Sequence, residues 1–167
     1  MAAHHNSIIN VVYWNANGIQ DKIFEFYDFL SDNHIHVACL NETFLKPSIK
    51  LPSHPEFISH RLDRTDRPKG GVAIIIRRNI KHHLLQNLQT TLCECIGVEI
   101  LLQNGSKIHI TSAYMPGGTR VTPINSNFAN DIRKLTHNNT SYFVCGDLNS
   151  RHRHWNCFRA NQAGNIL

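Results

Sequence analysis

No apolar run in this 167-residue chain approaches the roughly 20 residues that a membrane-spanning helix needs, so nothing in it reads as a transmembrane segment. Cysteine is sparse and scattered: Cys39, Cys93, Cys95, Cys145 and Cys157 form no C-x-x-C pair, and no second close Cys/His pair stands at zinc-ligand spacing. The odd count and the spacing point to reduced, mostly buried thiols of an intracellular protein. The start, Met1-Ala-Ala-His-His-Asn6, lacks the basic residues and long apolar stretch of a secretory leader, so none is expected. Internal repeats and low-complexity tracts are also missing. Acidic residues are the minority charge, 12 Asp and Glu against 17 Lys and Arg, which leaves a formal net charge of +5 and a pI near 9.1. That balance fits attraction to a polyanion, most simply nucleic acid, and it also fits a soluble protein with a modest basic excess. Twelve histidines add positive charge below pH ~6.5.

What is present is an ordinary globular composition, 41% hydrophobic and 17% charged, in a chain short enough to be read as one domain over residues 1–167. A chain of this size buries roughly two thirds of the surface its unfolded form exposes, enough for a core without disulfides. Ile8 to Trp14 is apolar and β-branched and runs into the turn Asn15-Ala-Asn-Gly18, which predicts a buried strand. Lys22 to Leu30 places Ile23, Phe26, Tyr27 and Leu30 at helical spacing behind a candidate N-cap, Asp21. Val37 to Leu40 is a second apolar strand, giving a strand–helix–strand unit with two loops at the same end of a sheet. Residues 46–69 hold many charges and four of the six prolines and read as a long irregular surface segment. Further strands are expected over Gly70–Ile76, Thr91–Leu102 and Lys107–Tyr114, the last two joined at Asn104-Gly105. A helix is expected over Ile124–Leu135 and a strand over Ser141–Cys145 that delivers Gly146-Asp-Leu-Asn149.

Polar clusters recur at the strand ends: Asn15/Asn17, Asn41/Glu42, Tyr114 and Asp147/Asn149. Singly, each has an ordinary reading. Asn-x-Asn-Gly is a turn because Asn and Gly tolerate positive φ, Glu at a strand end is solvated or caps a helix, Gly-Asp-Leu-Asn is an Asx turn, and Tyr114 is a packed ring. Together, on one rim of a mixed α/β fold, they would build a site.

Their order carries more. The strings Val-Val-Tyr-Trp-Asn-Ala-Asn-Gly18, Leu-Asn-Glu-Thr43, Gly-Gly-Val-Ala-Ile74, Ala-Tyr-Met-Pro116 and Cys-Gly-Asp-Leu-Asn-Ser-Arg-His152 resemble the successive signatures of the endonuclease/exonuclease/phosphatase family. That family includes deoxyribonuclease I and the apurinic/apyrimidinic endonucleases. The likeness is strongest to the endonuclease domains of non-LTR retrotransposon proteins, particularly jockey-like elements of insects, and it spans Ile9 to Leu167. It implies a deoxyribonuclease I-like four-layer α/β/β/α sandwich, incomplete at the C-terminus, and hydrolysis of a phosphodiester with Mg²⁺, or Mn²⁺, as cofactor.

By that resemblance Glu42 is the principal metal ligand, with Asn15 helping to hold the ion. A hard cation of this kind takes oxygen ligands and keeps several waters. Asn17 stands where the repair enzymes carry an aspartate, so one negative charge is missing there. Asp147 resembles the aspartate that positions or deprotonates the attacking water. Asn149 would hydrogen-bond a non-bridging phosphate oxygen, and Tyr114 would touch the scissile phosphate. In-line attack needs these parts: an activated water, a cation on the growing charge, and neutral donors around the phosphate.

Arg151, His152 and Arg153 follow directly and are candidate DNA contacts, with Trp155 read mainly as a core residue. Arg61, Arg64, Arg67 and Lys69 are a candidate second phosphate stripe, and Arg120, in the loop after Tyr114, is a further candidate DNA contact. The segment Asn161–Leu167 resembles a helix start in the family, beyond which further strands and a Ser-Asp-His motif are expected. Their absence predicts a weak or inactive nuclease fragment. The implied partners are DNA and, in a parent polyprotein, a reverse transcriptase acting in the nucleus. A cellular phosphodiesterase of the same fold, acting on abasic DNA, RNA or a phospholipid headgroup, remains an alternative, as does a non-catalytic DNA-binding remnant.

Overall fold

The computed structural model describes residues 8–86, 88–118, 127–136 and 141–167. Two four-stranded sheets form its centre, ordered β1-β2-β4-β3 and β5-β6-β7-β8. The first comprises β1 (Val11–Asn15), β2 (Val37–Asn41), β3 (Phe57–Leu62) and β4 (Val72–Arg77), with α1 (Ile23–Asp32) between β1 and β2. The second comprises β5 (His82–Leu84), β6 (Glu94–Leu101), β7 (Lys107–Tyr114) and β8 (Ser141–Asp147), with α2 (Asn127–Thr136) between β7 and β8.

Each sheet contains one parallel pair, and each pair is spanned by a helix: β1 with β2, and β7 with β8. The other neighbours run antiparallel. Parallel strands need such a crossover, and it returns both strand ends to one side. The register therefore sets Asn15 beside Asn41 and Tyr114 beside Asp147.

Three apolar clusters define four layers. Ile23, Phe26, Tyr27 and Leu30 of α1 pack on Ala38, Leu40, Ala73 and Ile75. Val37, Cys39, Ile74 and Ile76 face Val98, Ile100, Ile110 and Cys145 between the sheets. Phe128 and Leu135 of α2 cover Cys95, Ala113 and Met115 on the far side. Strands β2 and β4 are buried on both faces, which is why they read as unbroken apolar runs rather than alternating ones. Truncating one such side chain, for example Leu30→Ala, typically costs about 2–5 kcal/mol. All five cysteines are unpaired, four of them buried. Donation of its S–H to Cys145, together with burial, holds the Cys39 thiol well above its ordinary pKa.

Several expectations change. The segment 46–69 is not irregular throughout, because it holds β3. Strand β1 lies at a sheet edge with Tyr13 38% exposed, not buried as its composition suggests. Asp21 is not the α1 N-cap: it sits inside a 3-10 turn, Gln20–Lys22, and the cap position is Lys22 without a side-chain bond. Residues 161–167 form turns rather than a helix start. The helix expected over Ile124–Leu135 is described from Asn127 on, and Arg120 lies outside the described residues. No helix among the described residues is long and apolar enough to cross a membrane.

Candidate active site

The candidate residues gather where the two parallel pairs end. Strand β1 delivers Asn15, β2 delivers Asn41 and then Glu42, β7 ends on Tyr114, and β8 ends on Asp147. Asn15 Nδ2 donates to Glu42 Oε1 at 3.2 Å, and the Tyr114 hydroxyl donates to the same oxygen at 3.0 Å. Asp147 Oδ1 accepts the Asn149 backbone N–H at 2.8 Å, an Asx turn that reverses the chain after β8.

The two halves are clamped beneath these groups. Asn41, fully buried, donates through Nδ2 to the Ala113 carbonyl at 2.9 Å and to the Tyr13 hydroxyl at 3.4 Å. The Ser112 hydroxyl contacts Leu40 O at 3.0 Å and Asn41 Oδ1 at 2.9 Å. A buried carboxamide with its donors and acceptor all engaged fixes one sheet against the other.

Glu42 and Asp147 both act on the phenols of Tyr114 and Tyr13. Burial is the largest cause raising the Tyr114 phenol, followed by the hydrogen bond and charge of Glu42. The charge of Arg64 opposes the rise, that of Asp147 adds to it, and the result is a pKa of about 12. Tyr13 is raised by burial first and then by Asp147, with Glu42 adding to it. Glu42 accepts the Tyr114 hydroxyl and Asp147 is the register partner of Tyr114, so the two acidic residues flank one tyrosine.

The loop carrying Glu42 is held in a left-handed conformation, with φ of +52° at Glu42 and +56° at Phe44. Such angles are costly for non-glycine residues and persist only where surroundings over-determine them. Here Gly18 N donates to Glu42 O at 2.9 Å, Ile19 N to Thr43 O at 3.1 Å, Thr43 N to Gly71 O at 3.2 Å and Phe44 N to Gly70 O at 2.9 Å. Gly71 is needed for this: its φ is +84°, and a Cβ there would come within 2.5 Å of Thr43 Oγ1. Asn17 (+42°) and Asn149 (+46°) share the left-handed region, which asparagine tolerates best among non-glycine residues.

Not every candidate points where the family pattern puts it. The Asn149 amide nitrogen donates to Met115 O at 2.8 Å, so one of its two N–H groups ties the loop after β7. Asn17 is exposed at the tip of the β1 turn, and its backbone N–H donates to Asn15 Oδ1 at 3.2 Å. Arg151 and Arg153 are exposed just past Asn149, with His152 half-buried between them. Trp155 is not a core residue: it is 48% exposed, in a 3-10 turn, Arg153–Trp155.

In the basic stripe expected before β4 the three arginines are paired with carboxylates, while Lys69 lies over the Phe44 ring at 5.8 Å. Arg61 pairs with Asp63 at 3.2 Å and Arg67 with Asp66 at 3.8 Å. Arg64 is ion-paired with Glu94, its guanidinium 5.6 Å from the centre of the Tyr114 ring. Glu94 also accepts the Gly71 N–H at 2.7 Å. Arg64, Glu94 and Asn41 thus form a brace behind Glu42 and Tyr114. Nothing local marks the first two, since 30 residues separate them and only the sheet pairing of Glu94 with Tyr114 brings them together.

The donor set suits a hard divalent cation. The side chains gathered at the rim are two carboxylates, a phenol and the Asn15 carboxamide, whose Nδ2 faces Glu42, with no thiol or imidazole hydrogen-bonded to them among the described residues. No group of three or more His, Cys, Asp or Glu able to hold a metal occurs among the described residues. An ion here would therefore complete its shell with water and substrate oxygens.

This arrangement has known counterparts. Residues 12–167 match the model of the "Endonuclease/Exonuclease/phosphatase family". Two Drosophila melanogaster proteins are each 27% identical: "Probable RNA-directed DNA polymerase from transposon X-element" over 161 residues and "RNA-directed DNA polymerase from mobile element jockey" over 163. Each match covers 95% of this chain, which spans about a sixth of the length of these relatives, 17% of each. Among solved structures, the "Endonuclease domain of TRAS1, a telomere-specific non-LTR retrotransposon" superposes with a TM-score of 0.69 at 14% identity, over 95% of this chain and 67% of that one. Nucleases of the matched family depend on a divalent metal, typically Mg²⁺, and the two carboxylates at the rim fit that requirement. With two sheets closing on one carboxylate-lined rim and a family match over almost its whole length, the chain belongs to the endonuclease/exonuclease/phosphatase family.

Proposed function

We propose that this chain carries the site of a Mg²⁺-dependent endonuclease of the non-LTR retrotransposon type that nicks DNA, with weak activity in the chain by itself. The observation that carries the reading is the meeting of Asn15, Glu42 and Tyr114 in one hydrogen-bonded group beside the Asp147–Asn149 turn. Glu42, with Asn15, would hold the ion. When bound, the ion supplies positive charge to the phosphate and the departing oxygen.

The remaining work falls to side chains of the chain itself. Asp147 orients a water for in-line attack and takes its proton. Its place is set by the Asx turn, which leaves the second carboxylate oxygen for that role. Tyr114 keeps its proton at neutral pH, because its pKa is pushed up to about 12, so it acts as a hydrogen-bond donor to the phosphate or the departing oxygen. The second N–H of Asn149 faces the same task at a non-bridging oxygen. Arg151, His152 and Arg153 hold phosphates flanking the cut, with Asn17 as a further contact from the turn after β1. In the parent polyprotein the 3′-hydroxyl left by the nick would prime a reverse transcriptase on chromosomal DNA in the nucleus. The names of the polymerase relatives support the reverse transcriptase in that reading.

Relaxation of supercoiled plasmid tests the reading. Nicked circles should form with Mg²⁺ or Mn²⁺, stop with EDTA, and fall ~100-fold or more in Glu42→Gln and in Asp147→Asn. Nicking that ignores EDTA, or that survives both substitutions, would overturn it.

A further inference from the structure

We infer that Arg64 and Glu94 are positioning residues for the Tyr114 hydroxyl: their ion pair is the wall against which the ring is set, and it acts on phosphodiester cleavage only through that ring. The inference rests on the nuclease reading and adds to it two residues that are neither metal ligands nor phosphate donors.

The first observation is placement. Glu94 opens β6 and is the cross-strand partner of Tyr114, the last residue of β7. The two side chains therefore leave the sheet side by side, on the same face as Val98, Ile100 and Ile110, which is turned to the other sheet. Arg64, two residues past β3, reaches across from that other sheet. Its Nε donates to Glu94 Oε1, and its guanidinium lies over the Tyr114 ring, 5.6 Å from the centre. Glu94 Oε2 accepts the Gly71 N–H at 2.7 Å, so both carboxylate oxygens are tied to the opposite sheet. Gly70 leaves the room for this: a Cβ there would overlap Cζ, Nε and Nη2 of Arg64, and its φ is +77°.

The second observation is cost. The Arg64 side chain is only 8% exposed, and its Nη2 is buried without a hydrogen-bond partner among the described residues. A buried ion pair with a donor left over is poor support for a fold, since apolar side chains of similar volume usually do as well or better. Such an exception to good packing, built round the tyrosine of a site, marks a functional constraint.

The third is what the ring stands to lose. Its hydroxyl donates to Glu42 Oε1 at 3.0 Å. In turning to a phosphate oxygen it surrenders that bond, and the contact on its face then keeps it in line. The pair is neutral as a unit, so its contribution is placement rather than charge.

Single-turnover nicking of supercoiled plasmid, with the full chain in excess, is compared for wild type, Arg64→Met/Glu94→Gln, Tyr114→Phe and the combination of all three substitutions. Glutamine can still accept the Gly71 N–H. The paired change should slow the nicking step ~10-fold while Mn²⁺ affinity, and plasmid affinity in Ca²⁺, stay within ~2-fold. Melting temperature should hold or rise. In the Tyr114→Phe background the same pair should cost less than ~2-fold, because its effect passes through the missing hydroxyl. Glu94→Gln alone is the milder form and should move the same rate in the same direction. Ring signals of Tyr114 in tyrosine-labelled NMR spectra, identified by their loss in Tyr114→Phe, should shift with the paired change while those of Tyr27 and Tyr142 stay in place. Additive losses, a fall in metal affinity in place of rate, or a melting temperature that drops in step with the rate would overturn the inference, and so would unmoved Tyr114 signals. A wild-type chain that nicks with neither Mg²⁺ nor Mn²⁺ removes the nuclease reading instead, whatever the spectra show.

Discussion

Tyr114 shows how one residue is tuned by its neighbours. Strand β7 buries the ring, Glu42 takes its hydroxyl proton in a hydrogen bond, and two carboxylates bear on it, so the phenol is held neutral. A raised pKa in the folded state means a stabilising contribution that is fully present below the ordinary value of 10.0 and is lost as pH climbs through about 12. Tyr114→Phe should therefore flatten the alkaline limb of stability over that window, as read by denaturant midpoints, and remove the highest phenolate transition in an absorbance titration. The same substitution should slow nicking ~100-fold with little change in Mn²⁺ affinity, because it deletes a phosphate donor and spares the ligands. Unchanged nicking would reduce the hydroxyl to a structural role.

At the scale of elements, the edges of the two sheets are joined away from the site by histidines. His60 on β3 and His82 on β5 share a hydrogen bond between their Nε2 atoms at 2.8 Å, with His82 Nδ1 bonded to Ile80 O at 2.8 Å. One imidazole must be neutral to accept, and burial together with the charge of His82 lowers the His60 pKa below its ordinary 6.5. His36, lowered by burial and by Arg77, behaves alike and accepts the Asn10 N–H at 3.0 Å. A depressed folded pKa gives stability that is present above 6.5 and lost as pH falls through the folded value. Melting temperature should consequently drop on the acid side of 6.5, and the drop should be smaller in His60→Gln. An unaltered acid limb in that variant would show that the latch does not contribute.

Strand β3 explains why sequence patterns located some elements and not others. Strands β2 and β4 announce themselves as apolar runs because both faces are covered. Ser59-His-Arg61 of β3 is half-buried and polar at an edge, inside a proline-rich stretch, and β5 is only three residues long. The candidate site residues Asn15, Glu42, Tyr114 and Asp147 stand out as polar groups placed where apolar strands stop, and their roles were readable only through the order of motifs that resembles the family. The brace of the site was not readable, since Arg64 and Glu94 meet only through the pairing of β6 with β7. Trp155 was misjudged for the converse reason: an indole in a loop reads as core until its surroundings are seen.

For the whole molecule, charge is uneven rather than merely positive. The net +5 is spread over a chain in which several arginines are internally matched, while Arg151, Arg153 and Arg159, past the site, form no ion pair among the described residues. Each phosphate contact made by such a group adds about one unit to the salt dependence of DNA binding. The slope of log K against log salt should fall by ~1 for Arg153→Gln and stay unchanged for Arg61→Gln, measured by anisotropy across a salt series. Equal slopes for the two variants would mean that the cations after Asn149 do not touch DNA.

The two crossover units have one more consequence. Among the described residues, the strands through Arg77 form the sheet that delivers Glu42 and those from His82 form the sheet that delivers Asp147, with residues 78–81 between. The chemistry is therefore divided as a lock with its parts kept on two keys: neither half owns both acids, and competence exists only as a property of their apposition. Asn41 and Ser112 are then the gauge of that apposition, so a core substitution that shifts one sheet by a fraction of an ångström registers at the rim before it registers in the fold.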